Sequence, residues 1–302
     1  MKHAHRSWPA LVLLVIAAMM PIGCSKSPTK PSPPKPIAHA DADDIAQALA
    51  TTMSADNGGW YFTIKAIAET LSIPPPVITL VAREPSPWSV PLTSRFKLQN
   101  TYPISKSGIN YNFSTIYIRG DNSTTTLRDT TSQSLAAYAT GVGFMNGNGV
   151  TGNYGIHPLV IQGLADTTFT VDGIQADTVE FEAFMEDSLY GVVHSTITPN
   201  SGRNWYFPAN TVDWTFRIPK NKLVSSPYPM GSLSEVNWII EAKSLNGAGD
   251  RDAFLYDVII EARMTFNGTA DADLLIANVT LAPDWAYYYK VNVNTGVITR
   301  VN

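Results

Sequence analysis

Alternation of apolar and polar residues constrains the fold of this chain more than any other feature of its sequence. From about Thr93 onward, apolar residues recur at every second position, as in the runs that begin at Tyr111 and Phe254. Successive side chains of a β-strand point to opposite faces, so a period of two is typical of strands with one buried face. These runs are short and have almost no helical pattern between them, which predicts about ten to twelve strands.

Turn sequences separate these runs and predict antiparallel hairpins. The clearest are Asp172-Gly173, after Phe169–Val171, and Asn267-Gly268, after Val258–Phe266. Both central residues of a type I′ turn need a positive φ, which Asn, Asp and Gly adopt readily. We therefore expect a mainly β fold, an antiparallel meander that forms a half-barrel, a barrel or a sandwich, with one or two short N-terminal helices.

The first helix is predicted over Asp41 to Met53. Ile45, Leu49 and Met53 recur at i, i+4 and i+8, which places them on one helix face. Asp41 and Asp43 are suitable N-cap residues, and the glycines at 58 and 59 are a stop signal.

A second helical stretch is predicted from about Thr63 to Leu71, because the prolines at 74–76 block continuation. The helical segment 41–72 then opens a single β-rich domain that covers 41–302. At 302 residues with 44% hydrophobic and 15% charged residues, the chain has the composition of a globular protein.

The N-terminus has the layout of a secretory signal. Lys2 and Arg6 precede the apolar run Ala10–Met20, and Pro21-Ile22-Gly23-Cys24 ends the segment. This run of 11 residues is shorter than the ~20 that span a bilayer. The pattern predicts a signal peptide over 1–23.

Pro21-Ile22-Gly23-Cys24 resembles the lipobox of bacterial lipoproteins, with Pro21 where the family usually has Leu. The resemblance implies that the signal is cleaved before Cys24, and that its sulfur and new amine are acylated. In the family, Asp after the cysteine favours inner-membrane retention. Ser25 stands there, which implies an exported, lipid-anchored protein in the outer membrane, if the host has one, facing the periplasm or the surface.

Ser25–Pro36 contains five prolines in twelve residues. Proline favours extended polyproline II, so this stretch predicts a tether of roughly 35 Å. Residues 24–40 would then form the lipidated cysteine and its tether.

Charge and cysteine content exclude several classes of function. A net charge of −4 without basic clusters is unlike a nucleic-acid-binding protein. Cys24 is the only cysteine, so its acylation leaves no thiol for a disulfide, a metal site or a nucleophile.

No catalytic set is recognisable. Three histidines follow the signal, His39, His157 and His194, and no two of them have a metal-ligand spacing. The segment Gly147–Gly152 matches G-x-G-x-x-G, but His157-Pro158 follows where a dinucleotide site needs a helix, so a surface loop is the better interpretation. No G-x-S-x-G elbow exists for a serine hydrolase. We expect no enzyme activity and no cofactor.

The acidic residues have two interpretations. Calcium ligation is one alternative for the Asp250/Asp252 and Asp271/Asp273 pairs, and solvated turn carboxylates are the other. Glu180, Glu182 and Glu186 fall at even spacing on one predicted strand, so we expect them on one solvated face.

Aromatic clusters supply the candidate ligand-binding residues. Trp60-Tyr61-Phe62 and Trp205-Tyr206-Phe207 are identical triplets, and Trp285 is followed by three tyrosines at 287–289. The candidates are Trp205, Tyr206 and Trp285, as a stacking surface for sugar rings or an apolar groove for acyl chains. The alternative is a sheet packed on both faces.

These observations lead to one main hypothesis and three alternatives. The main hypothesis is a membrane-anchored lipoprotein with a non-catalytic binding or structural role and an unknown protein partner. The alternatives are a carrier of lipid or another hydrophobic ligand in a curved sheet, a carbohydrate-binding module, and, least favoured, a hydrolase.

Overall fold

The structure is a computed structural model. It describes residues 37–65, 102–119, 121–122, 124–125, 132–171, 174–197, 203–223, 225–231, 234–241, 243–245, 260–278 and 285–301. Cys24 with the predicted signal and tether, the part of the predicted second helix after residue 65, and the Asp250/Asp252 pair lie outside these residues.

Helix α1 spans His39–Met53, and α2 begins at residue 61 and is described to residue 65. A 3-10 turn lies at Lys220–Lys222. The described strands are β1 Tyr102–Lys106, β2 Ile109–Arg119, β3 Thr124–Thr125, β4 Ser132–Gly147, β5 Val150–Val171, β6 Ile174–Val193, β7 Arg203–Pro219, β8 Glu235–Ile240, β9 Lys243–Leu245, β10 Ile260–Phe266, β11 Asp271–Asn278, β12 Ala286–Asn292 and β13 Ile298–Val301.

All of these strands belong to one antiparallel sheet. Its order is β1-β2-β4-β5-β6-β7-β8-β10-β11-β12-β13, with β3 paired to β2 and β9 paired to β7. The chain therefore advances across the sheet almost strand by strand, and the predicted antiparallel meander is confirmed. In the described residues, β1 and β13 are the two edges and do not pair with each other, so the sheet is not closed into a barrel.

Both hairpins singled out from the sequence are present. Val171 pairs with Ile174 across Asp172-Gly173, as expected for a two-residue connection. Phe266 pairs with Ala272 across a longer loop at Asn267-Gly268, where Gly268 has φ +82°. The predicted two-residue turn is therefore wrong at the second site, although the hairpin exists.

The segment interpreted as a glycine-rich surface loop, Gly147–Gly152, is a hairpin. Gly147 pairs with Val150, and the two residues between them, Asn148 and Gly149, have φ +48° and +80°. Positive φ at both positions is the geometry of a type I′ turn, so this Asn-Gly pair is a turn signal that sequence inspection missed.

Helix α1 confirms the predicted first helix but begins two residues earlier. Its N-cap is Ala38, without a side-chain cap, so the predicted N-cap roles of Asp41 and Asp43 are wrong. Asp41 lies in the first turn of the helix, and Asp43 is fully buried.

The sheet bends around α1. The helix contacts β5 and β6 on one side and β11, β12 and β13 on the other. Because β7, β8 and β10 lie between these groups in the sheet, contact with both requires a curved sheet. Every residue from Asp41 to Met53 is buried, so the helix is enclosed. We call the face that covers α1 the inner face and the opposite face the outer face.

Aromatic rings fill the inner face beside the helix. Trp60, just before α2, stacks on Trp214 of β7 at a centroid distance of 5.6 Å. Trp214 in turn stacks on Phe216 at 4.5 Å, and Trp60 also contacts Trp238 of β8. The middle strands are thereby covered by residues that directly follow α1, and the inner face is a packed hydrophobic core.

Candidate functional site

The structure separates the predicted ligand-binding residues. The Trp205 side chain is fully buried on the inner face, stacks on Phe207, and donates from Nε1 to Asp44 of α1 at 3.1 Å. Trp285 is also buried, against Tyr287. Tyr206 points to the outer face and is 39% exposed. Trp205 and Trp285 therefore do not form the exposed stacking surface that a sugar site at these residues needs.

The first aromatic triplet lies at the start of α2 and not on a strand. Trp60 and Tyr61 are fully buried, and Phe62 is partly buried. The Tyr61 hydroxyl donates to the carbonyl oxygen of Pro227 at 2.6 Å. This triplet is structural, while Trp205-Tyr206-Phe207 shows the buried, exposed, buried order of a strand with one solvated face.

A groove on the outer face crosses β7, β8, β10 and β11. Its volume is about 450 Å³. Cross-strand pairing arranges its outward side chains in two rows, and we call this site the outer groove. One row is Thr211–Ile239–Glu261–Ala277, and the other is Asp213–Asn237–Arg263–Leu275.

Apolar side chains form part of the outer groove and both of its ends. Ile239 is 50% exposed within it. Phe184 pairs with Asp213 at the β6 end, and Tyr288 pairs with Leu275 at the β12 end. Each of these two rings is 54% exposed. Large exposed apolar side chains at a groove are typical of a surface that binds a ligand or a partner.

The charges in and around the outer groove are mainly negative. Asp213 and Glu261 line it, and Glu186 and Glu235 border it in register with Thr211 and Thr215 of β7. Partial burial, and then the charge of Glu235, raise the pKa of the Asp213 carboxyl above its ordinary value, against a hydrogen bond from the backbone of Trp214. Burial and a neighbouring negative charge both disfavour the ionised form of a carboxyl group.

Arg263 is the cation among the residues that line the outer groove. Within the described part of the chain, no ion pair joins Arg263 to Asp213 or Glu261. Glu235 accepts a hydrogen bond from Asn237 Nδ2 at 3.2 Å, which fixes one carboxylate at the border of the groove. The outer groove therefore presents carboxylates and a guanidinium that are not neutralised by each other.

A second row of exposed side chains crosses β4, β5, β6 and β7 on the outer face. Phe144 pairs with Asn153, Asn153 with Tyr190, and Tyr190 with Tyr206. Phe144 and Tyr190 are 52% and 45% exposed, and the Tyr190 and Tyr206 rings meet edge to face at 5.8 Å. We call these four residues the aromatic row. Tyr206 is the member that sequence analysis identified.

The acidic side chains of α1 are engaged in structural contacts. Asp43 forms an ion pair with Arg300 of β13 and accepts a hydrogen bond from the Tyr289 hydroxyl of β12. Asp44 accepts from Trp205 and from the backbone N–H of Ser195. These contacts attach the helix to both sides of the bent sheet.

Within the described part of the chain, the remaining acidic residues and the histidine singled out from the sequence lie at or near the surface of the sheet. Glu182 and Glu186 are exposed on one face of β6 with the partly buried Glu180, as expected, and His194 is exposed just after β6. Asp273 pairs with Lys290, and Asp271 accepts from Asn292. In the described ranges, no group of three acidic, histidine or cysteine side chains is arranged to hold a metal ion.

The outer groove itself was missed by sequence analysis. Its residues come from four strands, and each contributes only two outward positions that alternate with buried ones. The signal available in the sequence was the presence of Asp213, Glu261 and Arg263 at solvent-facing strand positions.

Within the residues that the structure describes, no helix is both long enough and apolar enough to cross a membrane. No family model matches the chain, and neither a curated protein nor a solved structure is significantly similar to it.

Proposed function

We propose that this protein is a lipid-anchored, non-catalytic binding protein whose ligand site is the outer groove. The observation that supports this most directly is the groove itself, about 450 Å³ in volume, with charges that are not paired with each other and aromatic rings at both ends. Volumes of roughly 300–1,000 Å³ are typical of ligand sites.

The inner face supports the same choice of site. Helix α1 and the aromatic rings around Trp60 occupy it, and the polar side chains of α1 are used in hydrogen bonds to the sheet. A carrier of hydrophobic ligands needs an apolar cavity under the curved sheet, where α1 lies. We therefore place the ligand on the outer face.

The anchor is supported by the sequence. Cys24 follows a short apolar run and precedes a proline-rich stretch, as in bacterial lipoproteins. Acyl chains contribute about 0.8 kcal/mol per buried CH₂, so two or more chains are sufficient for stable anchoring. With Ser25 after the cysteine, we place the protein in the outer membrane, if the host has one.

Blocking the outer groove tests the binding proposal. Ala277→Trp places a large ring in the groove, and Thr299→Trp places the same ring on the exposed part of β13. Each variant is titrated calorimetrically with a basic peptide, a neutral glucose oligosaccharide and dodecyl maltoside monomers. We expect at least one probe to bind the unaltered protein and Thr299→Trp, but not Ala277→Trp. Equal binding of every probe to both variants would refute the outer groove as the site.

Substitution of the cysteine tests the anchor. We expect Cys24→Ser to abolish palmitate labelling and to release the protein from washed membranes, since the acylated sulfur is lost. Ser25→Ala retains Cys24 and should remain labelled and membrane-bound. If Cys24→Ser stays on the membrane, the lipid-anchor proposal is wrong.

A carbohydrate ligand is the second candidate, and the aromatic row favours it. Its exposed rings and the amide of Asn153 are neighbours on adjacent strands, an arrangement that suits stacking with hydrogen bonding. Tyr190→Ala should then weaken oligosaccharide binding, while Ala277→Trp leaves it unchanged. The opposite result would place the oligosaccharide in the outer groove.

A further inference from the structure

The outer groove carries three kinds of chemical group that need different partners. Asp213 and Glu261 need cations, Arg263 needs an oxygen acceptor, and Ile239 and Leu275 need apolar contacts. Because these side chains alternate between neighbouring strands, one ligand that fills the groove meets all three kinds at once.

We propose that the outer groove binds an extended peptide segment that carries both basic and apolar residues on the side that faces the groove. This inference rests on the proposed function, since it names the ligand class of the same site. The ammonium or guanidinium groups of the peptide pair with Asp213 and Glu261, its carbonyl oxygens accept from Arg263, and its apolar side chains cover Ile239 and Leu275.

Charge excludes the main competing ligands for this groove. In and around the groove, the carboxylates at positions 186, 213, 235 and 261 outnumber the guanidinium of Arg263, and the nearby cations Arg217 and Lys290 are paired with Glu180 and Asp273, so the local field attracts cations. A neutral glycan supplies no cation for Asp213 and Glu261. A polyamine supplies cations but has no oxygen acceptor for Arg263. A basic peptide supplies cations, acceptors and apolar groups together.

The dimensions of the groove agree with a short peptide. Four adjacent strands at about 4.8 Å spacing make a path of roughly 14 Å from β7 to β11. An extended chain rises about 3.3 Å per residue, so roughly four residues cover this path. Phe184 and Tyr288 then lie at the two ends, where they contact the residues that enter and leave the groove.

The test is a calorimetric titration of the full-length, detergent-solubilised protein with blocked Lys-Lys-Leu-Leu-Lys, which presents both residue types on each side of an extended chain. The comparison probes are blocked Glu-Glu-Leu-Leu-Glu, spermine and a neutral glucose oligosaccharide. We expect the basic peptide to bind most tightly, with affinity that falls as salt is raised. Asp213→Asn combined with Glu261→Gln should weaken its binding by about tenfold or more, because both cation partners are lost.

A charge-matched control distinguishes an effect of the carboxylates in the groove from an effect of the protein's net charge. Asp56→Asn combined with Asp271→Asn removes the same two charges from exposed sites outside the groove, and should change affinity by less than about twofold. Equal loss in both double variants, or spermine binding as tight as peptide binding, would overturn the peptide assignment. If a probe other than the basic peptide binds the unaltered protein and loses affinity only in Ala277→Trp, this inference is wrong. The proposed function is then unaffected, because the outer groove remains the ligand site. If neither Ala277→Trp nor the Asp213→Asn, Glu261→Gln double variant weakens the binding of any probe, both this inference and the proposed function are wrong.

Discussion

Asp187 is a buried carboxyl group that forms no ion pair within the residues that the structure describes. Its Oδ1 accepts from Asn210 Nδ2 at 2.7 Å, while its Oδ2 and the Asn210 Oδ1 have no hydrogen-bond partner within the described residues. Burial raises the pKa of the Asp187 carboxyl to about 7, although the Asn210 bond lowers it. The neighbouring phenols, Tyr111 and Tyr154, have pKa values raised by burial and stay neutral. A protonated Asp187 has an O–H that can donate to Asn210 Oδ1.

This carboxyl predicts that stability falls as the pH rises. A folded-state pKa of about 7 against 3.8 means that the folded protein holds the proton more tightly than the unfolded chain. The stabilisation is therefore complete below pH ~4 and is lost as the pH rises through ~7. Asp187→Asn keeps a donor at every pH, so we expect it to be more stable than the unaltered protein at pH 8, by up to roughly 4 kcal/mol.

Urea unfolding at pH 4 and pH 8 measures this difference. At pH 4 the two proteins should differ by less than about 1 kcal/mol, because Asp187 is then protonated in the folded protein and only partly ionised in the unfolded chain. The exposed substitution Asp56→Asn should leave the pH profile of the unaltered protein unchanged. Parallel profiles for Asp187→Asn and the unaltered protein would contradict the assignment.

Single positions were predictable where strand alternation decides exposure. Glu182, Glu186 and Tyr206 lie outward as their spacing predicts. The aromatic triplet at 205–207 predicts Trp205 as a ligand residue. A large ring with one polar edge suits the core equally well, and in the structure its Nε1 meets Asp44 across 161 sequence positions. No local pattern reveals such a distant partner.

At the scale of the element, α1 shows how a helix with acidic residues can be enclosed. Buried carboxylates are tolerated when they are paired and hydrogen-bonded. Asp43 meets Arg300, Asp44 meets Trp205, and Gln47 donates to the carbonyl oxygen of Gly296 and accepts from Thr196. Helical period predicted the element itself. It could not predict that the aspartates serve as tertiary anchors, since β7, β12 and β13 supply their side-chain partners.

The Asp43–Arg300 pair predicts a large difference between two similar substitutions. Arg300→Gln leaves the fully buried Asp43 without its cation, so we expect a loss of about 2–4 kcal/mol in the free energy of unfolding. Lys290→Gln breaks the exposed pair with Asp273 and should cost less than about 1 kcal/mol. Urea midpoints at pH 7 give both values. Similar losses would show that Arg300 adds nothing beyond a surface contact.

The β4–β5 hairpin predicts a second contrast, between two glycines. Gly149 has φ +80°, and a Cβ there would lie 2.0 Å from the His194 carbonyl oxygen. Gly149→Ala should therefore destabilise the protein by about 2–3 kcal/mol. Gly155→Ala, whose added Cβ would lie 3.2 Å from Ser188 Oγ, should change stability by less than about 1 kcal/mol. Thermal unfolding distinguishes them, and equal melting temperatures would contradict the turn geometry.

At the scale of the whole molecule, the bent sheet and the enclosed helix share one core. Trp60, Trp214 and Trp238 bring together the segment after α1, β7 and β8. We expect tryptophan fluorescence and far-ultraviolet circular dichroism to report a single, coincident unfolding transition. Two separated transitions would show that the helix and the sheet unfold independently.

The strand meander was predictable because alternation and turn pairs are local. The outer groove was not, since its two rows exist only when β7, β8, β10 and β11 are paired in one register. A shift of one residue in any strand would reverse its outward and inward side chains. The bend of the sheet depends in the same way on contacts between α1 and strands far away in sequence.

The position of α1 also sets an order of events in folding. Residues of the helix meet their partners across 249 positions between Gln47 and Gly296, and 257 between Asp43 and Arg300. During synthesis the helix emerges long before the strands that enclose it, and contacts of such high sequence separation form slowly. The chain therefore remains incompletely folded until β13 has been made. Under the export proposed above, in which the chain crosses the membrane unfolded, that delay would keep the polypeptide competent for translocation.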